Sequence, residues 1–425
     1  MSRVAIVGAG ALGLVAALRL TERGHQATVF EAAPQVGGLA ASFFPAMNSN
    51  PLECFYHHIF RSDRAMIALI SELGLSAQLV WKRPATSMFY DGKLERLDSA
   101  AALLKLRGLS PVDRLRLGLA LVILKLAPSS ALFEDRLAIP WLKAVAGEGA
   151  FRLVFAQIFE SKFGSYASEI SLAWFWAKIH DRTATLGYLL GGFDSLYQAL
   201  VAQIRALGSD VVTDAPVLAI QAEAPGLRVT PLGSEARVFD RVLATIPLKR
   251  LGAIVPELPR EFVERHENRD YLRARCLIVA LDRRLTDAYW INVAQESYPF
   301  LVAVEHTNLI HESRYGGQHL VYFGNYATEF TTPSADALLD EFSPHIRALN
   351  PAFDRSWVLR TWLFEARDAQ PIVTPGFAKQ LSPHRTPVPG LYVANLHHTH
   401  PHDRGQNYSI ALGTKLAKLI DADMR

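Results

Sequence analysis

The chain has 425 residues, half of them hydrophobic and a fifth charged, more than one core normally holds, so two globular domains are expected. Its net charge of +3 is too small to argue for a nucleic-acid partner. The only cysteines are Cys54 and Cys276, far apart and without a C-x-x-C pair. That argues against a disulfide framework, thiol–disulfide reductase chemistry and a zinc site, and it predicts a reducing, cytoplasmic setting.

The chain opens on a strand, a turn and a helix. Val4, Ala5, Ile6 and Val7 form an apolar run suited to a strand buried on both faces. Gly8, Gly10 and Gly13 then make the spacing G-x-G-x-x-G, with Ala9, Ala11 and Leu12 between them. The first glycine permits a tight turn, the second lets backbone approach a pyrophosphate, and the third lets helix pack on strand. A second strand, Gln26–Phe30, ends at Glu31 and Ala32, roughly twenty residues on, where an acid binds ribose hydroxyls. This constellation predicts a dinucleotide site. A signal peptide is the competing reading of an apolar stretch near Met1, but no basic segment precedes it and no cleavage site follows.

Shortly beyond Glu31 stand Gly37, Gly38 and Leu39. A glycine pair at this place resembles the extended FAD fingerprint of the flavin amine oxidase, protoporphyrinogen oxidase and phytoene desaturase superfamily. The resemblance implies FAD as cofactor, with side-chain-free backbone passing close to a phosphate or the flavin. In that superfamily the segment matching 53–63 passes near the isoalloxazine, which makes Tyr56, His57 and His58 candidates for the flavin pocket. Rings stack there, and an imidazole hydrogen-bonds or moves protons, His58 being the first choice. A structural histidine is the plain alternative for either. His58, Ile59 and Phe60 are also similar to a segment of UDP-galactopyranose mutases, although Arg61 departs from it: a second histidine usually follows the phenylalanine there.

Residues 64–185 read mostly as helices, with a hairpin turn at Tyr90, Asp91, Gly92 and Lys93. The most lipid-like stretch, 114–127, is too short to span a bilayer and is interrupted by Lys125. Ser110 and Pro111 read as its N-cap and first turn, and Pro128 as its stop. It reads as a core helix or as an interfacial one admitting a lipid-linked substrate, with Arg114, Arg116 and Lys125 meeting anionic headgroups. The aromatic-rich runs 151–163 and 172–179 read as core, Trp174 and Trp176 included.

From 186 the pattern returns to the cofactor domain, and the superfamily resemblance implies that the backbone of Val217 meets the adenine. A further strand over 241–245 ends at Pro247. Between 251 and 370 strands of alternating character carry aromatics and amides. Trp290 with Asn292, Glu305 with Asn308, and Tyr322 with Tyr326 are the predicted substrate wall, followed by Arg367. Ordinary sheet packing competes for the aromatics but explains Asn292, Glu305 and Asn308 less well. The last strand ends at Asn395, and the loop after it is similar to the superfamily's C-terminal FAD motif. That likeness implies cofactor contacts from Asn395, Asp403, Arg404, Gly405 and Asn407, with Tyr408 approaching the substrate. Family members often carry an acid where Asn395 stands. His397, His398, His400 and His402 invite a metal, but they lie in a loop without a regular facing pattern or acidic cluster, so none is expected.

The predicted fold is α/β: a doubly wound, Rossmann-like FAD domain from 1–63, 186–250 and 372–425. An α+β substrate domain, an antiparallel sheet with a helical insert, is expected from 64–185 and 251–371. The activity implied is an FAD-dependent oxidoreductase moving a hydride from a C–H bond to flavin N5. Its small-molecule substrate would be a lipid, isoprenoid, ring or activated-sugar metabolite. No second nucleotide fingerprint appears, so NAD(P)H, a quinone or oxygen would meet the flavin transiently. The competing readings are a UDP-sugar mutase using reduced flavin without net redox, and a non-catalytic lipid carrier of the GDP dissociation inhibitor type.

Overall fold

The computed structural model describes residues 1–267, 271–295, 298–331, 334–402 and 405–425. Its organising element is strand β1 (Arg3–Val7), buried after its first residue. β1 is the middle strand of a parallel sheet ordered Asp210–Val212, β2 (Gln26–Phe30), β1, Arg241–Ala244, Leu391–Val393. The chain moves outward from β1 on one side and returns later on the other. In such a sheet the crevice for a ligand opens at the carboxyl ends of the strands, where the order reverses.

Helix α1 (Ala11–Thr21) follows the turn and is buried along almost its whole length. A helix apolar all round must be covered on both sides. One cover is the final helix, Gln406–Ala422, which comes so close that a Cβ on Gly413 would sit 2.6 Å from the Leu12 carbonyl oxygen.

The second sheet has seven strands, ordered Val358–Gln370, Leu272–Leu281, His319–Ala327, Val302–Glu305, Trp290–Val293, Thr86–Tyr90, Lys93–Arg96. All its pairings are antiparallel except that of Trp290–Val293 with Thr86–Tyr90. The predicted hairpin is present, with Asp91 and Gly92 at φ of 50° and 68°, the backbone that a tight hairpin turn demands. The largely helical reading of 64–185 missed that these strands complete a sheet begun two hundred residues later. Conversely, the stretch read as strands contains the helix Ala335–Leu349, whose apolar face covers one side of the second sheet through Leu338, Leu339, Phe342 and Ile346. The first omission has a physical cause, since the sheet a strand joins depends on partners distant in sequence. The helix carries its own apolar stripe at helical spacing and was overlooked.

Residues 100–180 form a helical lobe around buried Leu117, Leu142, Phe159 and Trp174. Its helix Pro111–Leu126 begins as predicted, with the Ser110 hydroxyl accepting from the Asp113 N–H at 3.0 Å and Pro111 in the first turn.

Candidate active site

A cleft of about 450 Å³ runs from the end of β1 to the second sheet and the helical lobe. Its inner end is backbone. Gly8 has φ of 105°, and a Cβ there would lie 2.5 Å from the Thr245 hydroxyl, so only glycine makes this turn. A Cβ on Gly13 would fall 2.0 Å from the Gly8 carbonyl oxygen, so the third glycine serves helix–strand packing and not the ligand. Gly10 is different, because nothing lies within 4 Å of where its Cβ would be, and it lines the cleft. No side chain caps α1, whose first turn at Gly10, Ala11 and Leu12 borders this space. Uncapped N–H groups at a helix start form an anion site. Across it stands Gly38, 3.5 Å from the Gly10 Cα when given a Cβ, followed by Leu39.

Glu31 closes this end. Its carboxylate accepts from the Ala9 N–H at 2.7 Å and the Ala33 N–H at 2.9 Å, which fixes it at the cleft wall. Ala9 itself is buried behind the wall, and Ala32 points to solvent. Val217 does not line the cleft. It lies two residues beyond Ala215, whose N–H binds the Glu31 carbonyl at 2.8 Å, so its segment runs beside the end of β2. Asn395, Gly405, Asn407 and Tyr408 line the cleft from the C-terminal side. Asn407 is held by accepting from the Met66 N–H at 3.1 Å. Asp403 and Arg404 lie outside the described residues.

The outer part is aromatic. Tyr56 stands edge-on to Trp290, with ring centres 5.2 Å apart. Gly324 makes room for it, since a Cβ there would be 2.7 Å from the Tyr56 ring. Tyr326, Phe55 and Phe60 complete the chamber. His57 and His58 also line it. His57 Nδ1 lies 2.7 Å from the Phe55 carbonyl oxygen, and His58 Nδ1 lies 3.2 Å from the buried Tyr289 hydroxyl. Burial pushes the His58 imidazole down to about 3, helped by Arg182 and His57 nearby. It is therefore neutral at physiological pH, which favours the hydrogen-bonding role over the proton-moving one.

Five predicted wall residues stand elsewhere. Asn292 lies behind the cleft and accepts from Trp290 Nε1 at 2.9 Å, so it orients the wall without lining it. Glu305 is buried and accepts from the N–H groups of Leu285 and Thr286 at 2.9 and 2.7 Å. Asn308 donates to the carbonyls of Thr286 and Ala288, bracing the same turn. Tyr322 is a core residue whose hydroxyl donates to the Glu53 carbonyl at 2.8 Å. Arg367 is exposed and not at the cleft. Amides and acids that looked too polar for a core are satisfied by an indole or by backbone groups, which sequence cannot show. Arg61, which breaks the mutase-like pattern, lies over the Trp81 ring at 3.8 Å.

The cleft also holds a pairing that sequence reasoning missed, that of the predicted Tyr408 and the loop residue His402 with Asp181. His402 Nε2 lies 2.5 Å from Asp181 Oδ2, the Tyr408 hydroxyl donates to the same oxygen at 3.0 Å, and the His402 and Tyr408 rings stack at 3.5 Å. Burial alone would raise the Asp181 carboxyl, but the bond from His402, its charge and the Tyr408 hydroxyl outweigh it and hold Asp181 below the usual range. The other three histidines of the loop disperse. His397 stacks on Tyr271, His398 binds Ser382, and His400 pairs with Glu134 at 2.8 Å. Among the described residues no group of three metal-ligating side chains forms.

Turn, acid, uncapped helix and aromatic chamber meet in one cleft of a doubly wound α/β fold. The family model for flavin containing amine oxidoreductase matches residues 13–404, and the chain belongs to that family, whose cofactor is a flavin. AofH of Mycobacterium tuberculosis, provisionally named a flavin-containing monoamine oxidase, is 27% identical over 280 residues, 61% of this chain and 60% of that one. The chain thus spans 60% of the length of this relative. The zeta-carotene desaturase of Arabidopsis thaliana is 29% identical over 132 residues, 28% of this chain and 24% of that one. Among solved structures, cyclohexylamine oxidase from Brevibacterium oxydans matches with a TM-score of 0.72 at 16% identity, covering 100% of this chain and 99% of that one. A reduced UDP-galactopyranose mutase matches with 0.76 at 16% identity, covering 100% and 96%. At that identity the likeness is one of fold. The open backbone over Gly10, the uncapped helix start and the anchored Glu31 fit a flavin dinucleotide.

Proposed function

We propose that this protein is an FAD-dependent oxidoreductase that takes a hydride and a proton from a carbon–heteroatom group, an amine or alcohol, on a substrate with an apolar body. The observation that carries this reading is the continuity of one cleft, from the dinucleotide cradle at Gly10 and Glu31, through the aromatic chamber, to His402 on Asp181. In it, backbone at Gly10 to Leu12 holds the pyrophosphate, Glu31 the ribose, and Gly38 with Leu39 the approach to the ring system. When bound, FAD supplies the two-electron acceptor for a hydride from carbon.

The chain's own residues supply the rest. Tyr56, Trp290 and Tyr326 surround the apolar body and exclude water. His402, oriented through Nε2 by the ionised Asp181, receives the heteroatom proton on its other ring nitrogen, and Asp181 stabilises the resulting imidazolium. Neutral His58 positions by hydrogen bonding. A relative named as a monoamine oxidase supports a carbon–nitrogen bond.

The test has two parts. Heat-denatured protein should release FAD, identified by mass; FMN or no flavin overturns the cofactor assignment. Under anaerobic conditions amines or alcohols should bleach the visible band. His402→Asn should slow this by about a hundredfold in protein that keeps its flavin. An unchanged rate of bleaching removes His402 from the mechanism. Interconversion of a UDP-sugar by the reduced protein, without net redox, would favour the mutase reading.

A further inference from the structure

Helix Pro111–Leu126 has two apolar faces. Leu117, Ala120 and Leu124 are buried in the helical lobe. On the other face Val112, Leu115, Leu119, Val122 and Leu126 recur at intervals of three and four residues and are all more than half exposed, Leu115 by 76% and Leu126 by 75%. Leu132, in the turn that follows, is exposed too. A soluble helix needs one apolar stripe, and a second, solvent-facing one marks a docking surface.

Charge distinguishes what docks there. The lobe 100–180 carries ten Lys and Arg against six Asp and Glu, a surplus of four, whereas the whole chain has a surplus of three. The chain's positive balance therefore resides in the lobe that bears the stripe. Lys105 and Arg107, just ahead of the helix, are exposed, Arg107 lying 3.7 Å from the Glu95 carboxylate. A second copy docking face to face would bring two net-positive lobes together; an anionic lipid surface complements them. No helix among the described residues is long and apolar enough to cross a membrane, so the helix would lie in the interface plane.

The stripe is also tied to the cleft. Lys125 Nζ donates to the carbonyls of His180 and Arg182 at 2.6 and 3.0 Å, and Trp176 Nε1 donates to the Ala127 carbonyl at 3.1 Å. Asp181 and Arg182 line the cleft. We infer that Val112, Leu115, Leu119, Val122 and Leu126 dock this lobe onto the surface of an anionic phospholipid bilayer, with this side of the cleft close to that surface. The inference stands independently of the redox reading, since it needs no turnover.

The test is flotation of the full-length, flavin-loaded protein with vesicles of phosphatidylcholine alone or with about 30 mol% phosphatidylserine. The protein should float with the anionic vesicles and much less with neutral ones or in high salt. Leu115→Ser with Leu119→Ser should lower the bound fraction by about tenfold while the visible spectrum is retained. Lys105→Glu with Arg107→Glu should remove the preference for anionic lipid. Failure of the wild-type protein to float overturns the inference, as does equal flotation of the Leu115→Ser, Leu119→Ser variant. A concentration-dependent dimer dissolved by that variant, without flotation, assigns the stripe to a second copy and also overturns it.

Discussion

At the scale of single residues, the three glycines of the first turn carry three separate jobs. Gly8 needs its left-handed backbone and Gly13 its bare Cα, whereas Gly10 faces only open cleft. Gly10→Val should therefore fold at a cost of at most about 1 kcal/mol, the scale of a changed helix cap, yet lose its flavin. Gly13→Val should destabilise by at least about 3 kcal/mol, because its Cβ meets a carbonyl oxygen that cannot move. Thermal melts beside visible spectra separate the two, and a Gly10→Val protein with stoichiometric flavin would displace the cofactor from this turn. These glycines were legible because each demands a backbone conformation or approach that the motif spacing encodes. Asp181 was not, since its value lies in a partner 221 residues away.

Among elements, the C-terminal loop and helix act as a clasp. His397, His398, His400 and His402 each bind a different segment, at Tyr271, Ser382, Glu134 and Asp181, so the loop is pinned at four separate points. The helix that follows is seated on α1 through Gly413, with the Leu12 carbonyl and the Val15 side chain in the way of any Cβ. Gly413→Val should cost about 1–3 kcal/mol in denaturant unfolding and loosen the helix whose start borders the cleft, weakening flavin retention with it. Unfolding at the wild-type midpoint would show that the two helices part freely.

For the whole molecule, Glu53 is the internal joint. It is fully buried, accepts from the Tyr188 hydroxyl at 2.7 Å and the Phe193 N–H at 2.8 Å, and its carbonyl receives Tyr322 from the second sheet. Burial raises its carboxyl to about 7, the two hydrogen bonds opposing this in part. A folded-state value above the unfolded one stabilises fully below about pH 4.5, and that contribution is lost as pH rises through 7. The amount is on the order of 3 kcal/mol. Relative to Glu53→Gln, the wild-type protein should thus lose stability between pH 5 and 8, as read by chemical denaturation at a series of pH values. Parallel curves for the two proteins would place the proton elsewhere.

The parallel sheet around β1 was readable because its determinants are local. A buried strand, a glycine turn, an acid at the end of the next strand and a capped or uncapped helix start each occupy a few adjacent residues, so spacing alone specifies them. The rest was not, because its pieces acquire meaning only through distant partners. Thr86–Tyr90 becomes a sheet strand by pairing with Trp290–Val293. Asn292, Glu305 and Asn308 are satisfied by indole or backbone donors and acceptors that only folding supplies. His402 gains its partner when a helical lobe and a C-terminal loop meet across the cleft. Local backbone requirements are written into neighbouring residues, whereas the pairing of polar side chains depends on which surfaces the completed fold brings together.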